Sequence, residues 1–389
     1  MTVLKPVKST HEKLTGSGTA TYPTLFSHGQ FDNLHLANRI VVSPMTRTSA
    51  TPDGRATGQM ASYYAEYARG GFGLVMTEAT YIDKAYSQGY ANQPGIADDV
   101  QQEAWHKVVE AVHSEGFPVL MQLFHAGAVN QGNNWIKGSI APSVVQPLGE
   151  QIDRYGGIGK FQVPREIARD EMQEVIASYC AAAQRAIEVG FDGIEIHGAN
   201  GYLLDQFLTT YTNHRTDAYG GQIVNRVRYH CDVMRAVRDA VDAFYPVGMR
   251  ISQTKVNDLT YVWPGGVSDA EVVFTALGKA GATFIDVSAH LGCDSVFGSE
   301  LSLAGLAKKY SGAIVFGNGK LNDPAKAERL LAKGEIDFVS LAKGALADQA
   351  WPRKIAAGNQ PIAFDLEMIS PFATLDNVAG WQRRHKGRG

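Results

Sequence analysis

The sequence is short of the features that mark several large protein classes. It has no surplus of positive charge: 36 Lys and Arg stand against 39 Asp and Glu, a formal charge of −3. No basic block stands out either, which argues against nucleic acid or an anionic membrane as the main partner. Long apolar runs are missing too. No stretch approaches the roughly 20 apolar residues of a spanning helix, and residues 1–23 are polar, without the apolar segment of a secretory signal. A soluble, cytoplasmic protein is expected. Cysteine is scarce: Cys180, Cys231 and Cys293 are odd in number, far apart and without a Cys-x-x-Cys pair. That excludes a disulfide framework and an iron–sulfur cluster with four Cys ligands. His125, His290 and Cys293 lack a His-Glu-x-x-His or comparable spacing, so no metal site is expected. No Gly-x-Gly-x-x-Gly follows a strand pattern, so a nicotinamide cofactor, if used, does not sit on a Rossmann domain.

What the chain does have is a repeat of strand then helix over 389 residues, 44% of them apolar. Short runs rich in β-branched residues recur at 39–43, 74–78, 119–123, 193–196, 247–251, 284–287, 314–316 and 338–341, and read as buried parallel strands. Helical patterns lie between them at 98–114, 165–189, 222–243, 268–280 and 324–332, with Gly190, Gly281 and Gly334 as stops after three of them. Three units share an Ala-rich helix end, a Gly and then a strand with Asp near its start, at Asp192, Asp286 and Asp337. These units predict an α/β fold, a closed (β/α)8 barrel, rather than an open sheet. Residues 24–36 alternate like a hairpin that closes the barrel floor. The expected organisation is a loose arm over 1–23, a barrel over 24–360, and a tail over 361–389 on the barrel or an oligomer interface. Residues 126–164, rich in Gly, Asn and Pro, form a long excursion after the third strand and read as a functional loop over the mouth.

In such a barrel chemistry sits where strands end. The first strand ends Ser43-Pro44-Met45-Thr46-Arg47, the second Thr77-Glu78-Ala79, the third Gln122-Leu123-Phe124-His125, and the fifth carries Arg250. The fourth runs into His197-Gly198-Ala199-Asn200-Gly201-Tyr202-Leu203-Leu204-Asp205-Gln206-Phe207-Leu208. That last motif is followed by Asn213-His214-Arg215-Thr216-Asp217, Tyr219-Gly220-Gly221 and Asn225-Arg226. Together with the first three strand ends, in this order, it resembles the old yellow enzyme family of flavin-dependent ene-reductases, over about residues 24 to 360.

A phosphate-bearing cofactor is indicated without that resemblance. The seventh strand ends Gly317-Asn318-Gly319 and the eighth Ala342-Lys343-Gly344, two Gly-containing turns and a Lys where barrels commonly hold phosphate. Read singly, each Gly is a turn residue. The resemblance implies FMN, with NADPH or NADH as hydride donor. It implies that Gln122 pairs with the pyrimidine edge, that Arg250 balances the charge of the reduced form near N1–C2, and that Thr46 bonds near O4, with Pro44, Met45 and Ala79 in close backbone approach. A polar network inside the barrel is the alternative role for Gln122 and Arg250.

His197 and Asn200 are three apart directly after a strand, so two donors can converge on one carbonyl or nitro oxygen and withdraw electrons from a conjugated alkene. Taken alone, His197 reads as a core histidine; Asn200 and Tyr202 reverse that. The resemblance makes Tyr202 the donor of a proton to the α-carbon, against a packing role for its ring. The 213–221 segment reads as structural. One departure is Lys343, where the family usually carries Arg: a point charge without the bidentate fork. Thr46 and the His197/Asn200 pair match the family's classical branch. Substrate-facing residues are expected from the 126–164 excursion and the loops around Tyr81, Trp263 and Phe297, whose aromatic side chains either stack on a substrate or pack the cap. The expected partner is a small activated alkene, and the chain a monomer or homodimer. Two rival readings remain: a cofactor-free barrel acting on a phosphorylated metabolite with Lys255 as base, and a non-catalytic flavin-binding protein.

Overall fold

The computed structural model describes residues 14–385 apart from 291 and 293; residues 1–13 of the expected arm and Cys293 lie outside the described residues. Eight parallel strands follow in chain order: β1 Ile40–Val42, β2 Leu74–Met76, β3 Val119–Phe124, β4 Gly193–His197, β5 Val247–Ser252, β6 Phe284–Ser288, β7 Ile314–Asn318 and β8 Phe338–Leu341. Each pairs with the next, and β8 returns to β1 with Leu341 opposite Val42. Closure removes both sheet edges, and the predicted barrel is the fold. Every residue of β3, β4 and β5 is buried, because side chains face the barrel interior on one side and helices on the other.

The outer helices are α1 Gly58–Arg69, α2 Asp99–Ser114, α3 Arg169–Val189, α4 Arg228–Ala240, α5 Val267–Lys279, α6 Leu303–Ser311, α7 Pro324–Ala332 and α8 Trp351–Ala357. Side chains of Thr57, Asp98, Ser302 and Asp323 cap α1, α2, α6 and α7 by accepting backbone N–H bonds. Gly190, Gly281 and Gly334 stop their helices at positive φ of 101°, 95° and 70°. The helix expected at 165–189 begins only at Arg169, since Arg165–Glu166 pair as a short strand with Ile140–Ala141. Among the described residues no helix is long and apolar enough to cross a membrane.

The repeated Asp proves to be two features. Asp192 and Asp337 each accept a backbone N–H at the start of the neighbouring strand, from Val119, the first residue of β3, and Val315, the second of β7, both at 2.8 Å. In the unit of β6 that position belongs to Thr283, whose hydroxyl accepts from Val247 N at 3.1 Å. Asp286, three residues on, is on the strand itself and fully buried.

The hairpin, Gly29–Phe31 paired with Leu34–Leu36, seals the floor as expected. The Phe31 ring meets Phe284, Phe316 and Phe338 edge-on at 5.6–5.7 Å, and Phe284 stacks on Phe316 at 4.8 Å. At the opposite end the chain after residue 361 folds back over the mouth. Met368, Ile369, Val378 and Trp381 pack on Leu346 and Ala347, touching Met45, Tyr155 and Phe364.

Candidate active site

A cavity of about 270 Å³ opens at the C-terminal ends of the strands. Pro44, Met45 and Thr46 after β1, Ala79 after β2 and Gln122 on β3 reach it. So do His197, Asn200 and Tyr202 from β4 and its loop, Arg250 from β5, and Ala342 and Lys343 from the turn after β8. Residues far apart in sequence thus share one wall, because parallel strands all end on the same face.

The loop after β4 is shaped by the Asn-Gly pair, where Asn200 and Gly201 take positive φ of 62° and 87°, a conformation these two residue types tolerate best. Ser252 Oγ accepts from Asn200 N at 2.7 Å, and Asp205 from Gly201 N at 2.6 Å. Asp205 also takes Lys255 Nζ on both oxygens at 2.7 Å, a buried pair that ties this loop to the one after β5. Lys255 is therefore a structural cation away from the 270 Å³ cavity, which removes the base that the phosphorylated-metabolite reading required.

The Ala199 N–H donates to His197 Nδ1 at 3.3 Å, so the remaining ring proton sits on Nε2. Burial and the nearby Arg250 hold the imidazole pKa well below its ordinary value; the ring is neutral and donates without being an acid. Tyr202 packs edge-on against His197 at 5.0 Å and Phe124 at 4.5 Å, and its hydroxyl touches that of buried Tyr90. Burial raises the Tyr202 pKa, keeping the phenol protonated.

Below the cavity the barrel interior is polar. Gln122 Nε2 donates to Glu195 at 2.7 Å, leaving the amide oxygen for the cavity. Arg250 NH1 donates to Ser43 Oγ at 3.0 Å and lies 2.9 Å from Asp286. That contact is ionic and lacks hydrogen-bond geometry, since neither Asp286 oxygen has a hydrogen-bond partner. Burial raises the pKa of both Glu195 and Asp286, the neighbouring Asp286 raises Glu195 further, and the Arg250 charge pulls both back down. Arg250 Nε is buried without a partner. An orphaned guanidinium N–H and an unused amide oxygen on one wall suit a flat polar heterocycle such as a flavin ring.

The turn after β7 is tightly packed. Gly317, Asn318 and Gly319 are not among the residues lining the 270 Å³ cavity. The Asn318 amide is spent on Ser43 Oγ and Ser340 O, at 3.2 and 2.8 Å. A Cβ on Gly317 would meet Ile336 at 2.9 Å, and one on Gly319 would meet Ala289 O at 2.1 Å. Close packing between units explains these glycines in this structure.

The predicted aromatic contacts fall elsewhere as well. Tyr81 is buried under Gln101 and Trp135, and Trp263 stacks on Phe297 at 6.3 Å. Tyr155 and Phe364 line the cavity in their place, with Ile152, Arg154 and Ile369. The first two of these last three, with Tyr155, come from the excursion at 126–164, whose length was the signal. Phe364 and Ile369 come from the tail and carried none. The Asn213–Tyr219 turn is an internal knot: Asn213 Nδ2 donates to Phe207 O and Tyr219 O, and Arg215 to Asp217. Among the described residues no group of three His, Cys, Asp or Glu side chains is placed to hold a metal ion.

A closed barrel whose mouth gathers Lys343, Arg250, Gln122 and His197 around one cavity is the layout of a barrel enzyme with its site at the strand ends. The chain matches the NADH:flavin oxidoreductase / NADH oxidase family over residues 24–361, and it belongs to that family. An NADH oxidase of Thermoanaerobacter brockii is 34% identical over 87% of this chain, and a putative 12-oxophytodienoate reductase 2 of Oryza sativa is 33% identical over 90% of both chains. The chain spans about half the length of the curated NADH oxidase and of the metal reductase of Desulforamulus reducens that it also matches. Morphinone reductase superposes with a TM-score of 0.79 at 29% identity, covering 92% of this chain and 96% of that one. The old yellow enzyme homologue from Zymomonas mobilis does so at 0.77 and 29%, covering 91% and 99%.

Proposed function

We propose that the chain is an FMN-dependent ene-reductase that takes hydride from NADPH or NADH and reduces an alkene activated by a carbonyl or nitro group. The observation that carries this reading is the convergence of His197, Asn200 and Tyr202 on the same cavity as Thr46, Gln122, Arg250 and Lys343. FMN bound there supplies a carrier that accepts hydride from the nicotinamide and returns it to the β-carbon. Residues 24–360 are the unit that holds it.

Gln122 and Arg250 receive the pyrimidine edge, Thr46 and the backbone of Pro44, Met45 and Ala79 border the ring, and Lys343 meets the phosphate. His197 Nε2–H and the Asn200 amide hold the activating oxygen, drawing electrons from the alkene. Tyr202 would give its hydroxyl proton to the α-carbon as the β-carbon gains hydride and then regain a proton from solvent, so the C=C becomes a C–C single bond with two new C–H bonds and the nicotinamide is oxidised. Donor and acceptor share one pocket and bind in turn, which gives ping-pong kinetics. The relative from Leishmania infantum, 40% identical over 56% of this chain, bears the name probable flavin mononucleotide-dependent alkene reductase, which agrees with this reading. The test is an anaerobic spectrum: a flavin band that bleaches with NADPH and returns with 2-cyclohexenone upholds the reading. A protein that stays colourless when FMN is supplied ends it.

A further inference from the structure

The cavity wall carries four cations, Arg47, Arg154, Arg250 and Lys343, and no carboxylate. Three are committed. Arg250 faces Asp286 at 2.9 Å. Arg47 is 1% exposed and donates to Thr374 O at 3.0 Å; its Nε has no hydrogen-bond partner among the described residues, but that atom is sealed from the cavity solvent. Lys343 lies over the Phe364 ring at 5.2 Å, at the end of the cavity where the phosphate belongs.

Arg154 is different. Among the described residues no acceptor or ring receives its guanidinium, yet its backbone is firmly fixed. Gln131 grips Ile152 through both amide atoms at 2.8 and 2.9 Å, Ala373 N donates to Arg154 O at 2.9 Å, and Tyr155 packs on Tyr90 at 4.7 Å. Its chain neighbour Tyr155 packs on the Tyr90 ring whose hydroxyl touches Tyr202, and Arg154, Tyr155 and Tyr202 line the same cavity. An uncommitted guanidinium on a rigid turn beside a cavity without acids is a ready partner for an anion.

We propose that the acceptor for which this cavity is built carries a carboxylate remote from its activating oxygen, and that Arg154 binds it. The inference rests on the ene-reductase reading. Two anchors, His197 with Asn200 at one end and Arg154 at the other, fix the alkene in a single orientation under Tyr202; a neutral enone has only the first. The hydride donor is also anionic and enters the same pocket, so the test must separate the two sources.

The experiment compares 2-cyclohexenone with 4-oxocyclohex-2-ene-1-carboxylate, which differ by one carboxylate, in the FMN-loaded full chain and in its Arg154→Ala and Arg154→Lys variants. Arg154→Ala is expected to raise the KM of the carboxylate relative to that of the enone by about tenfold, with Arg154→Lys in between. Binding is read independently with the saturated pair, cyclohexanone and 4-oxocyclohexane-1-carboxylate, through the shift of the flavin band. Only the acid should lose affinity in Arg154→Ala. An unchanged ratio of KM and of Kd overturns the proposal, as does a variant slowed only in its reduction by NADPH, since Arg154 would then serve the donor. If the loaded wild-type chain reduces neither alkene, the ene-reductase reading fails. A selective loss of acid binding would, even then, stand on its own as evidence of the anion clamp.

Discussion

The floor and the mouth of this barrel are built from the same strands and differ in what those strands turn inward. At the floor Phe284, Phe316 and Phe338 close around Phe31, with Leu34, Leu74 and Leu120 filling the remainder. One layer up, Gln122, Glu195, Arg250 and Asp286 occupy inward positions, and Glu195, Arg250 and Asp286 each leave a polar atom without a hydrogen bond. The floor gains stability by excluding water from apolar surface. The mouth gives stability up, because buried charges with unused valences are costly until something fills them. Folding strength and chemistry are thus segregated along one axis, as active sites on stable scaffolds tend to be.

Four experiments bear on that division. The largest effect is expected from Phe31→Ala, which removes the ring that three others surround. It should cost about 4 kcal/mol of unfolding free energy while flavin binding in the surviving folded protein is retained; a loss of flavin affinity at full stability would show the two ends to be coupled. Next is the pH dependence of stability. Glu78, fully buried after β2, has its carboxyl pKa pushed up to about 7 by burial, although Arg47 N, Thr48 N and the Tyr64 hydroxyl all donate to it. The folded state therefore holds a proton that the unfolded chain has released. Stability falls as pH rises from about 4.5 to about 7, by up to ~3 kcal/mol, and is flat above. Urea unfolding across that range should show the fall, and Glu78→Gln should abolish it.

Tyr202→Phe comes third. It should slow the alkene-dependent return of the flavin band about a hundredfold, roughly 2.7 kcal/mol of barrel-mouth chemistry, with the thermal midpoint nearly unmoved. A stopped-flow trace in which NADPH reduction slows equally would remove Tyr202 from the proton-donor role. The smallest effect concerns the carboxyl pair. Replacing both residues, Glu195→Gln with Asp286→Asn, deletes the negative charge that competes for Arg250 and should raise the flavin potential by about 30 mV. An unchanged potential in a spectroelectrochemical titration would mean that the pair serves packing only.

The floor was far more legible in the sequence than the mouth. Eight β-branched runs, the Gly stops and the 24–36 hairpin are local signals, governed by periodicity and backbone freedom, and each element formed close to its expected place. Part of the cavity was legible for a related reason: strand ends converge in a barrel, so residues such as Gln122, His197 and Arg250 could be gathered from their positions alone. For Tyr81, Trp263 and Phe297 the sequence left substrate stacking and cap packing open, because an aromatic in a loop does not announce which neighbour it packs on; here they pack on Gln101, Trp135 and each other. Gly317 and Gly319 make close packing contacts, and because a glycine can serve an anion and such a contact equally well, neither role could be singled out in the sequence. Arg154, Tyr155 and Phe364 were missed because nothing local marks a residue that reaches the wall only when the excursion and the tail fold over it.

By itself the sequence determined the closed barrel, the end at which chemistry occurs and the strand-end residues that surround it, since these follow from short-range pattern and from the geometry that all parallel barrels share. The tertiary structure alone decided that Glu195 and Asp286 lie buried beside Arg250, that Lys255 is locked to Asp205, that Tyr90 backs Tyr202, and that among the described residues nothing receives the Arg154 guanidinium. Each of these depends on which side chains meet across distant segments, and burial, pairing and electrostatic field exist only once those segments are in contact.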